Sequence, residues 1–116
     1  MSGYCHFNES SSSRKFSISL FGNDLYLRQN PEAGVLGHGA VVWDASVIFA
    51  KYIEHNPKEF DPSKLSKKTV LELGSGCGLA GLAMMIRGAE VTMTDMAKVV
   101  DALTMHNAQV TCLPLV

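Results

Sequence analysis

Cysteine is scarce in this chain of 116 residues, and the three present, Cys5, Cys77 and Cys112, are odd in number and far apart. A disulfide framework is therefore excluded as the source of stability, and free thiols in a reducing compartment are expected. A cytoplasmic location follows as the expectation, with the nucleus as the alternative. Charge of one sign is lacking too: ten Lys and Arg against eleven Asp and Glu leave a formal net charge of −1. That gives neither the basic face that nucleic acid needs nor an attraction to anionic membrane. No apolar run approaches a membrane span. The start, Met1 to His6, has no basic region leading into an apolar stretch, so no secretory signal is expected. Cys5 and His6 are adjacent rather than spaced as metal ligands, and no metal site is expected.

What is present is a 47% share of hydrophobic residues, enough for one globular domain. Residues 1–15, with the run Ser10 to Ser13, read as a disordered tail. The domain is expected over 16–116. Phe16 to Leu20 and Leu25 to Gln29 alternate apolar and polar residues around the turn cluster Gly22-Asn23-Asp24, which predicts a β-hairpin over 16–29. A glycine-rich loop follows from Gly34 to Gly39. Asp44 is placed to cap a helix whose apolar stripe is Ala45, Ile48, Phe49, Tyr52 and Ile53, ending at Asn56-Pro57. Lys58 to Lys68 reads as a solvated connection.

The parallel sheet is expected to begin within 69–113. Thr69 to Leu73 is an apolar strand running directly into Gly74-Ser75-Gly76-Cys77-Gly78. A small-residue helix follows, to about Arg87 with Gly88 as its stop. Glu90 to Asp95 is the next strand, so the stretch is a βαβ unit with parallel strands. A helix from Ala97 to about Asn107, with Val99, Val100 and Leu103 on one face, is followed by Gln109 to Leu113 as the start of another strand. The glycine turn is the chemical centre. Glycines let the backbone bend sharply and let a ligand approach it, and the helix beyond presents free N–H groups and a positive dipole end. Gly76-x-Gly78-x-x-Gly81, with Asp95 beyond it, also fits a dinucleotide fingerprint. No acid–base dyad is visible, and no catalytic residue is assigned.

Three stretches resemble the seven-strand protein-lysine methyltransferases of the methyltransferase-like 21 group, including the branch that modifies valosin-containing protein, an AAA ATPase. They are Gly39-Ala40-Val41-Val42-Trp43-Asp44-Ala45-Ser46, Val70 to Gly78 with Cys77 where the group has threonine, and Gly88 to Asp95. The resemblance implies an α/β, Rossmann-like seven-strand methyltransferase fold, N-terminal part only, preceded by the hairpin. It implies S-adenosylmethionine (AdoMet) as cofactor and a protein lysine as acceptor, with an AAA ATPase or a chaperone as the expected partner. It also implies site roles. Trp43 would lie beside the cofactor. Gly74, Ser75 and Gly76 would line its methionine end, Asp95 would bond the ribose, and Glu72 would support the loop from behind.

Members of that group are roughly twice as long, with a later adenine-contacting segment and an Asp-x-x-Tyr motif on the substrate side. The chain is accordingly expected to be a truncated form that does not turn over alone. Two other readings stay open beside the methyltransferase: a dinucleotide-binding oxidoreductase, and a non-catalytic module in which the hairpin and a sheet edge pair with a partner.

Overall fold

The computed structural model describes residues 14–31 and 34–112. Most of the expected tail, and Leu113 at the end of the expected last strand, lie outside the described residues.

Strand β1 (Arg14–Leu20) pairs antiparallel with β2 (Asn23–Gln29), setting Phe16 opposite Leu27 and Ile18 opposite Leu25. The hairpin is as expected, but its turn is Phe21-Gly22. These residues have φ of 53° and 78°, the double positive φ of a two-residue turn that matches strand twist. Asn23 and Asp24 are paired strand residues instead. The Phe21 N–H donates to Glu54 Oε2 at 2.6 Å, and Arg87 lies over the Phe21 ring, so the turn is held from two helices. Residues Gly34–Ala40 form 3₁₀ turns kinked at Gly37.

Helix α1 (Asp44–His55) follows. Trp43, not Asp44, is its N-cap; Asp44 is the first helical residue, where its charge still suits the helix dipole. The expected apolar stripe also needs correction. Ile48 is 69% exposed and Tyr52 48%, whereas Ala50 and Ile53 are buried and Val47 packs with them. The helix has two apolar faces. The one carrying Val47, Ala50 and Ile53 packs on the hairpin and on the helix that follows the glycine turn. The connection after α1 is not merely solvated: Asp61 caps a short helix α2 (Pro62–Leu65) through the Ser63 N–H. Leu65 is buried, and Phe60 packs on the core.

Strand β3 (Thr69–Leu73), helix α3 (Leu79–Ile86) and strand β4 (Glu90–Thr94) form the expected parallel βαβ unit, with Glu72 opposite Met93 and Leu73 opposite Thr94. Gly88, at φ 99°, ends α3, and the Gly88 and Ala89 amides return to the Met85 and Met84 carbonyls. Beyond β4, α4 (Ala97–Val99), a π-helical turn (Val100–Thr104) and α5 (Met105–Cys112) run end to end. Residues 109–112 are therefore helical, not the start of a strand. Buried Val99, Leu103, Asn107 and Thr111 recur every four residues, a spacing that the wider π-turn keeps on one face. The architecture is α/β, with a two-stranded parallel sheet and a separate two-stranded hairpin among the described residues.

Candidate functional site

The carboxyl ends of β3 and β4 open into a cleft of about 640 Å³, walled by the glycine turn, the start of α3, the 3₁₀ segment and the N-terminus of α1. Trp43, Gly74, Ser75, Gly76 and Asp95 all line it, joined by Glu72, Cys77, Gly78, Phe49 and Met96. Residues far apart in sequence are thus brought to one place by the sheet.

The turn itself is built on positive φ at Gly74 (68°), Gly76 (55°) and Gly78 (90°). A Cβ on Gly74 would meet nothing within 4 Å, so space lies open in front of the backbone. Gly78 caps α3, and the first amides of that helix face the loop end. At Gly81, by contrast, an added Cβ would run into the Glu72 carboxylate and Met93; this glycine exists to seat α3 on the sheet.

Asp95 leaves β4 with both carboxylate oxygens engaged. Oδ2 accepts from the Gly76 N–H at 2.8 Å, and Oδ1 accepts from the Met96 N–H at 2.7 Å. Each oxygen retains a lone pair for a further donor. The Ser75 hydroxyl donates to the Thr94 carbonyl at 3.1 Å, as the Ser75 N–H does at 2.8 Å, so Ser75 presents backbone rather than side chain to the cleft. Trp43 is 53% exposed. It stands at the mouth rather than in the core, with its carbonyl accepting from the Ser46 amide and hydroxyl.

Glu72 points from β3 under the turn. Burial raises its pKa above the usual carboxylate range, and nearby Asp95 adds to this while the Gly81 amide pulls it back in part. Its Oε2 is buried against Gly81, on the side of the seat for α3. Cys77 is buried, its thiol pushed up to about 11 by desolvation. It is a neutral thiol at physiological pH and not a nucleophile. Its Sγ–H donates to the Gly39 carbonyl at 3.7 Å, joining the turn to the 3₁₀ segment.

Two contributors were not legible in the sequence. Thr104 Oγ1 donates to the Gly76 carbonyl, and Asn107 Nδ2 donates to the Cys77 carbonyl at 2.8 Å. Both sit on a helix that periodicity alone marks only as packed. Among the described residues no group of His, Cys, Asp and Glu is arranged to hold a metal ion.

The sequence matches the lysine methyltransferase family over residues 22–112. Protein N-lysine methyltransferase METTL21A of Xenopus tropicalis is 34% identical over 100 residues, covering 86% of this chain and 41% of that protein. METTL21A of Mus musculus is 40% identical over 79 residues, 68% of this chain and 33% of the relative. EEF1A lysine methyltransferase 3 of Xenopus tropicalis is 36% identical over 75 residues, 65% of this chain and 31% of the relative. The chain spans about two fifths or less of the length of these relatives.

Proposed function

The chain belongs to the lysine methyltransferase family, and from that premise we propose that its cleft binds AdoMet as part of an enzyme that methylates a lysine side chain on a protein. The observation that carries this reading is an open glycine cradle set in one cleft with the acidic residues Glu72 and Asp95. AdoMet suits that donor set: it is cationic at sulfur and at its amino group, and its ribose offers two hydroxyls to Asp95. In the proposed arrangement the Gly74-to-Gly76 backbone lies against the methionine end. Trp43 covers the cofactor at the cleft mouth, and the free lone pairs of Asp95 take the ribose.

AdoMet supplies a methyl group on an already activated leaving group. The tasks left to the protein are to hold it, exclude water and align a neutral amine. A lysine amine has an ordinary pKa of about 10.4, so its approach through apolar surroundings such as Phe49 and Met96 would favour the unprotonated form. An AAA ATPase or a chaperone is the proposed substrate class, acted on in the cytoplasm or nucleus.

Calorimetric titration of the chain with AdoMet, and separately with NAD, tests the cofactor. Saturable binding of AdoMet alone is expected. NAD binding without AdoMet binding would overturn the reading in favour of the dinucleotide fingerprint. For the acceptor, labelled methyl groups recovered on lysine of a protein substrate are the expected product, and label on a small molecule would contradict it.

A further inference from the structure

Asn107 is completely buried, and its side-chain amide joins two parts of the molecule that are remote in sequence. Its Oδ1 accepts from the Arg28 N–H at 2.7 Å, and its Nδ2 donates to the Arg28 carbonyl at 3.1 Å. The amide thus pairs with the outer edge of β2 as one residue of a neighbouring strand would. The same Nδ2 donates to the Cys77 carbonyl at 2.8 Å. One turn earlier on the helix, Thr104 Oγ1 donates to the Gly76 carbonyl. Both carbonyls in the middle of the glycine turn are therefore held by side chains of this one helix. A trans peptide sets its C=O and the following N–H on opposite sides. Fixing the Gly76 carbonyl inward therefore directs the Cys77 N–H to the other side of the loop.

We propose that Asn107 is a positioning residue for the cofactor loop, fixing its peptide orientations and coupling them to the N-terminal hairpin. The coupling rests on the AdoMet reading above. Positive-φ glycines leave the turn free to rotate its peptides unless something fixes them. Asp95 fixes the Gly76 amide, and Thr104 and Asn107 fix the next two carbonyls. Asn107 has no contact with the cleft, so it acts only through the Cys77 peptide. Because the same amide group also grips Arg28, ordering of the loop by a ligand and ordering of the β2 edge support each other, and linkage makes the support reciprocal.

The test is a titration of the ¹⁵N-labelled full chain with AdoMet, followed by nuclear magnetic resonance. The Gly76 and Gly78 backbone amides report the cleft. The Asn107 side-chain amide and the Arg28 backbone amide report the coupling. All four are expected to shift with one shared dissociation constant. A merely structural asparagine would leave Asn107 and Arg28 unmoved while the cleft amides shift, and that result overturns the proposal. No shift at Gly76 and Gly78 overturns the AdoMet reading itself, and the coupling with it. Asn107→Asp keeps the shape and the acceptor for the Arg28 N–H but removes the donor to the Cys77 and Arg28 carbonyls. It is expected to weaken AdoMet about tenfold, as does Thr104→Val at the neighbouring carbonyl. Unchanged affinity in both variants would also overturn the proposal. If Asn107→Asp does not fold, the wild-type titration and Thr104→Val decide the matter.

Discussion

At Glu72, stability and ligand chemistry pull in opposite directions. Burial holds its folded pKa above the ordinary value of 4.5. The stabilising contribution therefore belongs to the protonated form: it is present below that ordinary value and lost as pH rises through the folded one. At neutral pH the ionised group costs the ligand-free fold. Glu72→Gln is expected to raise stability at pH 7 by about 1 kcal/mol, with little change at pH 4, in urea unfolding at the two pH values. The same variant should weaken AdoMet, because it removes a negative charge from the wall of the cleft proposed to hold a cationic ligand. Gly81 gives a second residue-scale prediction. A methyl there collides with Glu72 and Met93, so Gly81→Ala should lower stability by about 1–3 kcal/mol, read as a drop in the urea midpoint. Gly74, Gly76 and Asp95 were expected near one another because strand–turn–helix chemistry is local, Trp43 was expected there only through the family resemblance, and all four line one cleft. Asn107 and Thr104 were not, because their partners Arg28 and Gly76 lie 79 and 28 residues away. Nothing local marks an asparagine within a helix as a tether between elements.

Among the elements, the hairpin and the βαβ unit followed from alternation and glycine placement. The β1–β2 turn shifted by one residue because Phe21 adopts positive φ, which a bulky side chain rarely does. Its amide bond to Glu54 and its ring contact with Arg87 hold it there. Gly22→Ala meets no neighbour but keeps the unfavourable φ of 78°. It should therefore cost about 1 kcal/mol through the backbone alone, with an unchanged denaturant slope. Helix α1 departs from the expected stripe because Ile48, Phe49 and Tyr52 are exposed, while Val47 and Ala50 pack inward with Ile53. Periodicity identified the helix but not which of two apolar faces is buried. The final strand failed for a related reason: Val110 and Thr111 favour strands intrinsically, yet a continuous helix packs Asn107 and Thr111 against the rest of the fold.

For the whole molecule, the parallel sheet is covered on the face that carries Val70 and Glu72, whereas Leu71 is 63% exposed and Leu73 78%. Two large leucines exposed on one face of the strand favour self-association. Replacing both Leu71 and Leu73 with threonine should reduce light scattering of concentrated solutions without lowering the unfolding midpoint, since neither side chain is buried; unchanged scattering would count against the exposed sheet face as its source. The chain's single tryptophan gives the most direct test of the cleft as a cofactor site. Trp43 stands at its mouth, beside the proposed position of AdoMet. Its fluorescence should change saturably on titration with AdoMet, lose that response in Asp95→Ala, and stay flat with NAD. A folded chain whose Trp43 ignores AdoMet, or responds to NAD instead, would contradict the assignment of this cleft.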